Sequence, residues 1–250
     1  MTLKSIIVII DFDNYFGSDF NKITSEKIEF SFKEVVKLCE QKFTDYNSIH
    51  IRLYGGWFKE TTLTKQASGV QQLLHNVNVF PKVTENKVVN GKIELATSLH
   101  IKPDFVWAHT HKETDGVKRI RLNHDSIDTV CKDNRNTCPK YILYKFTDSK
   151  NKKCSVNDCV NLQKHVFKGA EQKMVDTLIA CDIISVCEDD NVLGLLVISD
   201  DQDHLPSLAV ASMKKKQSIQ SIILGIQNDK VIDFISNFMQ PFNISITLLQ

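Results

Sequence analysis

The chain has no apolar stretch approaching the ~20 residues that span a bilayer. It is also poor in the residues that punctuate loops, with nine glycines and five prolines in 250 positions. The first absence sets aside a transmembrane helix, and the second a collagenous or linker-dominated chain. No Gly-x-Gly-x-x-Gly follows the first apolar run, so the loop that cradles a dinucleotide pyrophosphate is missing. That run, Ile6 to Ile10, is too short for a signal peptide and meets acids and aromatics at once, so a cytoplasmic protein is expected. Net charge is nearly absent as well: 31 basic and 30 acidic residues leave +1. The seven cysteines are an odd number in a chain without an export signal, which argues against a disulfide framework.

What is present is the composition of a soluble globular protein, 42% hydrophobic and 24% charged. The length suits one large domain or a domain carrying an insert. The neutral total hides an asymmetry. Lys112 to Lys173 holds 14 basic and 8 acidic residues, whereas Met174 to Met213 holds eight acids and no Lys or Arg. A basic segment beside an acid-lined one suits a polyanionic substrate carried to metal, although a solvated insert would read the same way.

Apolar periodicity predicts strands at Ser5–Asp11, Ser48–Trp57 and Asp104–His109, and helices at Phe32–Phe43 and Thr64–His75. The polar stretch Thr110 to Lys168 exceeds an ordinary connection and reads as an insert, residues 111–167, with strand-like pieces at Val117–Leu122 and Tyr141–Phe146. Beyond it come a helix at Glu171–Glu188, a strand at Val192–Ser199, a helix at Leu205–Lys215, a strand at Ser221–Leu224, a helix at Asp229–Phe238 and a terminal strand at Ile244–Leu249. Strands alternating with helices predict an α/β fold: a doubly wound, mainly parallel sheet formed by residues 1–110 and 168–250. In that architecture sites form outside the carboxyl ends of the strands.

Acids stand at two such ends. Ile6–Ile10 breaks into Asp11-Phe12-Asp13-Asn14, and Leu193–Ile198 breaks into Ser199-Asp200-Asp201-Gln202-Asp203. Carboxylates this close raise one another's pKa unless a cation neutralises them, and hard divalent cations take such oxygen ligands. Asp11, directly after five apolar residues, has no local purpose that the sequence reveals. Asp176 opens the predicted helix, where a carboxylate also serves the helix N-terminus. Asp203 is likewise a possible cap for the helix at Leu205, with Pro206 near its start. Asp182 lies six residues from Asp176 and does not share its helix face well.

Together, Val8-Ile9-Ile10-Asp11-Phe12-Asp13-Asn14, Lys173-Met174-Val175-Asp176 and Val197-Ile198-Ser199-Asp200-Asp201-Gln202-Asp203 resemble the NYN domain of the PIN-like nuclease superfamily, whose members are typically metal-dependent ribonucleases. Asp200 stands where that pattern usually has Gly, and His204 where it has an aromatic. The resemblance implies metal-assisted phosphodiester hydrolysis. Asp11, Asp176, Asp201 and Asp203 would hold Mg²⁺ or Mn²⁺, and Asn14 and Ser199 would orient water or a phosphate oxygen. The substrate implied is RNA rather than DNA, with no membrane partner. A structure-selective DNA nuclease of the same fold and a catalytically weakened nucleic-acid-binding module are the alternatives.

Cys131-x6-Cys138 and Cys154-x4-Cys159 fall in the polar insert, as two pairs separated by fifteen residues. Tetrathiolate Zn²⁺ sites are built from such pairs, so a structural zinc is expected to staple this small unit, although the first spacing is wide. Lys118, Arg119, Arg121, Lys150, Lys152 and Lys153 read as a surface that contacts phosphates without reading bases. Tyr141, Tyr144 and Phe146 serve either base stacking or local packing.

Overall fold

The computed structural model describes residues 4–17, 22–83, 87–118, 120 and 137–249. The chain divides into two compact units, residues 1–110 with 172–250, and residues 111–171.

The larger unit is a mixed α/β, Rossmann-like layer structure. In chain order its strands are β1 (Ser5–Asp11), β2 (Ser48–Tyr54), a small hairpin of β3 (Phe58–Lys59) and β4 (Thr62–Leu63), β5 (Lys82–Val83) and β6 (Val88–Leu95). After β7 (His111–Asp115) and β8 (Lys168–Gln172) come β9 (Val192–Ile198), β10 (Ser221–Ile226) and β11 (Ser245–Leu248). Seven of these form one sheet in the order β11-β10-β9-β1-β2-β6-β5. Every pairing is parallel except that of the edge strand β5 with β6.

Helices cover both faces, because β1 is apolar on both. Ile6, Val8 and Ile10 point into a core shared with α2 (Ser25–Lys42) and α3 (Lys65–His75). Ile7 and Ile9 point into a second core with α6 (Val175–Val186), α7 (Leu205–Lys214) and α8 (Asp229–Met239). All five residues are fully buried, and each such side chain contributes about 1.5–3 kcal/mol. Local chemistry starts the helices: Thr24, Thr64 and Asn228 accept hydrogen bonds from the amides of Lys27, Ala67 and Lys230. Packing between the layers is close enough to demand glycine on β9. A Cβ on Gly194 of β9 would stand 2.1 Å from the Phe43 ring.

Three predicted strands are corrected. Asp104–His109 is not a strand; the strand lies earlier, at β6, where Val89, Gly91, Ile93 and Leu95 alternate with polar residues. Tyr141–Phe146 is helical, as α4 (Pro139–Phe146), with Cys138 at the N-cap and Pro139 in the first turn. Proline's fixed φ is already helical there, and a short mixed run offers periodicity no means of choosing strand over helix. The described residues of Val117–Leu122, namely 117, 118 and 120, are not in a strand either.

The smaller unit pairs β7 with β8 and carries α4 and the single turn α5 (Gln163–Val166). Phe146 and Phe167 meet at 5.8 Å, and the buried Gln163 amide donates to the Val117 carbonyl at 2.8 Å. All described members of the two apolar cores belong to the larger unit. Among the described residues, no helix is long and apolar enough to cross a membrane.

Candidate metal centre

Strand order decides where the acids meet. From β1 the chain winds outward through β2 to β6; it returns at β9, on β1's other side, and winds outward through β10 to β11. The junction of β1 and β9 is therefore the topological switch point, where a crevice opens at the carboxyl ends. Asp11 ends β1, and Ser199 to His204 follow β9. Helix α6 begins at the same end and carries Asp176 in its first turn.

Three groups converge there. One ligand atom each from Asp11, Asp176 and His204 lie within 4.8 Å of one another. Asp11 Oδ2 stands 3.9 Å from His204 Nε2, with side-chain exposures of 13% and 1%. Neither ring nitrogen of His204 has a hydrogen-bond partner among the protein atoms. Partial desolvation raises the pKa of the Asp176 carboxyl above its ordinary value; Asp11, Asp201 and Asp203 push it the same way, and His204 opposes them. Two carboxylates and an imidazole with unsatisfied lone pairs form a donor set suited to a divalent cation.

Of the other expected site residues, Asp201, Ser199 and Asn14 have hydrogen bonds of their own. Asp201 precedes a 3₁₀ turn, Gln202–His204, and its Oδ1 accepts from the Asp203 amide at 2.9 Å. The cap at this point is thus Asp201 rather than Asp203. Asp203 itself is exposed. Ser199, 3% exposed, accepts from the Asp201 amide at 3.1 Å. Asn14 Oδ1 accepts from the Asp200 amide at 2.7 Å, tying the end of β1 to the end of β9. Asp200 turns away from the cluster: its Oδ1 takes the amides of Gln227 and Asn228, at 2.7 and 3.2 Å, in the turn after β10. The expectation that Asp11 lacks a local purpose is corrected. Its Oδ1 caps the short helix α1 (Phe12–Phe16) by accepting from the Asn14 amide at 3.3 Å, which leaves Oδ2 facing His204.

Asp182 has a separate, structural place. It is fully buried and accepts from the Tyr54 hydroxyl and, at 2.9 Å, from the His100 amide. Arg52 pairs with it at 3.3 Å and also donates to Tyr54, Glu94 and the Ser98 carbonyl. Burial first, then the Asp182 charge, holds the Tyr54 phenol well above its ordinary pKa, so it stays a donor.

The sequence marks His204 only as a departure from the motif, not as a ligand, and does not single out Arg52. The signal for His204 was its place directly after the strand-end acids; Arg52 was an isolated charge inside a strand-like run.

In the smaller unit a hydrogen bond with the Asn161 backbone, and after it one with the Cys154 side chain, lowers the Cys159 thiol pKa. Cys138 is half-buried at the start of α4. Cys131, Arg119 and Arg121 lie outside the described residues. Among the described residues, the group of three potential ligands that converges is Asp11, Asp176 and His204, not a cysteine set. Lys150, Lys152 and Lys153 are exposed, as is Lys118, which stands 3.6 Å from Glu171.

Comparison with protein-family models, with curated proteins and with solved structures finds no match for this chain.

Proposed function

We propose that the chain is a metal-dependent nuclease of PIN-like architecture that hydrolyses phosphodiester bonds in RNA. One observation carries the reading: Asp11, Asp176 and His204, from three distant segments, bring ligand atoms within 4.8 Å at the switch point of a parallel sheet. A divalent ion, Mg²⁺ or Mn²⁺, bound there supplies Lewis-acid polarisation of the phosphate and activation of water.

The protein's own part is to hold charge in place. Asp11 is fixed by its cap to α1, and Asp176 by the first turn of α6. Asp201 and Asp203 add negative potential that draws a cation inward. Asn14 and Ser199 brace the two strand ends by hydrogen bonds, so the liganding atoms keep their spacing. RNA is favoured over DNA by the motif resemblance. The exposed Lys118, Lys150, Lys152 and Lys153 supply phosphate contacts that carry no base preference. The zinc ion expected on Cys131, Cys138, Cys154 and Cys159 belongs to the same proposal, and metal analysis of a Cys154→Ser, Cys159→Ser variant tests it: zinc content unchanged from wild type removes it.

The function is tested on single-stranded RNA, hairpin RNA, single-stranded DNA and flap DNA, each with Mn²⁺, Mg²⁺ or EDTA. Asp11→Asn is run in parallel; asparagine caps a helix as well as aspartate, so the fold is retained. Cleavage of RNA that EDTA stops and Asp11→Asn reduces at least ~100-fold is the expected result, a loss in line with removing a group that acts on the transition state. Cleavage of DNA alone moves the assignment to a DNA nuclease. Binding without cleavage leaves a binding module, and cleavage that survives in Asp11→Asn defeats the site.

A further inference from the structure

His204 is the most unusual side chain in the crevice. Its ring is 1% exposed and neither nitrogen is hydrogen-bonded to the protein. A buried polar group left in that state costs about 1–3 kcal/mol, and the large majority of buried side-chain polar atoms are paired in native proteins. An apolar ring of the same shape would avoid the cost. The ring is aimed at a charged neighbour: Nε2 faces Asp11 Oδ2 at 3.9 Å, too far for a hydrogen bond, with Asp176 completing the group inside 4.8 Å.

Those spacings are slightly wider than those of atoms that share an ion. Donors at about 2.1 Å from one metal stand about 3.0–3.4 Å apart when adjacent and about 4.2 Å apart when opposite. A contraction of a few tenths of an ångström per donor thus turns the group into a coordination shell. The chemistry of the donors then selects the ion. Carboxylate oxygens alone would suit Mg²⁺, which keeps to oxygen ligands and its own waters. An imidazole nitrogen favours first-row transition ions, and affinity at such mixed sites rises from Mn²⁺ toward Cu²⁺.

We propose that His204 Nε2 is a direct metal ligand and that it makes this centre a transition-metal site, taking Mn²⁺ in preference to Mg²⁺. The metal centre stands on the Asp11–Asp176–His204 geometry, and it deepens the nuclease reading without requiring it. His204 is the specificity-determining residue, and a carboxylate in its place makes the shell all-oxygen.

Pulsed EPR on wild-type protein loaded with Mn²⁺ reads the ligand directly, because an imidazole ligand imposes a ¹⁴N hyperfine coupling on the ion. Calorimetric titration with Mn²⁺ and Mg²⁺ reads the preference. The expected results are a ¹⁴N coupling in the wild type and at least tenfold tighter binding of Mn²⁺ than of Mg²⁺. In His204→Asp the coupling disappears and the preference falls several-fold. The wild-type spectrum needs no variant, so a His204→Asp chain that fails to fold leaves the test intact. Bound Mn²⁺ without nitrogen coupling overturns the proposal, as do equal affinities for the two ions or no Mn²⁺ binding at millimolar concentration. Nitrogen-coupled Mn²⁺ in a protein that cuts no nucleic acid upholds the centre and removes the nuclease reading. Cleavage supported equally by Mg²⁺, with no coupling, does the reverse.

Discussion

Replacing Arg52 by leucine removes the guanidinium that faces the fully buried Asp182 while keeping an apolar side chain in the strand. Arg52 is 3% exposed, and its NH2 group stands 3.3 Å from Asp182 Oδ2. After the change the carboxylate keeps two donors, the Tyr54 hydroxyl and the His100 amide. Breaking one side of a buried ion pair costs about 3–5 kcal/mol, because the remaining charge is uncompensated. The surviving donors place the loss near the lower end, about 3 kcal/mol. The Glu94 contact, partly exposed on the acid's side, contributes at most about 1 kcal/mol. With a urea slope of about 3 kcal/mol per molar, the midpoint falls by about 1 M. Trp57 and Trp107 are the chain's two tryptophans and both belong to the larger unit, so their fluorescence follows its unfolding. Pairing the change with Asp182→Leu removes both charges and recovers more than half of the loss. A midpoint shift below about 0.3 M for Arg52→Leu alone, near 1 kcal/mol on that slope, refutes the assignment of Asp182 to structure.

Asp200→Ala separates the stray acid from the metal group. Loss of its bonds to the Gln227 and Asn228 amides costs about 1–3 kcal/mol in denaturant, while Mn²⁺ affinity by calorimetry changes less than threefold; a tenfold weakening would return Asp200 to the site. Tyr46 sets an alkaline limit. Its hydroxyl is buried without a hydrogen-bond partner, and burial first, then Cys39 and Glu40, pushes its pKa up to about 12. The folded state then holds its proton more tightly than the unfolded one, near 10. Stability from this source is complete below pH ~10 and is lost as pH rises toward 12. Tyr46→Phe therefore holds or raises the thermal midpoint at neutral pH and flattens its decline above pH 10; an unchanged decline counts against the argument.

The chain's own periodicity carried most of the larger unit. The short, continuous, β-branched run at β1 fits a strand buried on both faces, and the 3.6-residue stripes at α2, α3, α6, α7 and α8 marked the covering helices. Strand β6 was harder because its alternation is half polar and broken by Gly91, which faces the Ile49 carbonyl and the Phe80 ring. α4 was harder still, since a proline-led eight-residue helix carries only two turns of pattern.

Asp11 and Asp176 were legible as acids at a strand end and a helix start, because an acid that closes an apolar run departs from its pattern. Linear order could not say which atoms of these residues meet. The Ser199–Asp203 run showed three carboxylates at the end of β9, yet backbone geometry assigned them different work. Asp200 reaches across to the β10 turn, Asp201 caps the 3₁₀ turn and Asp203 faces solvent. His204, one position later, is the residue that the turn rotates inward. The sequence by itself determined the layers, the switch point's neighbourhood and the chemistry available there, since those follow from apolar spacing and residue type. Only the tertiary structure decided the partners, since a turn of one residue in a 3₁₀ segment changes a side chain's direction by about 120°.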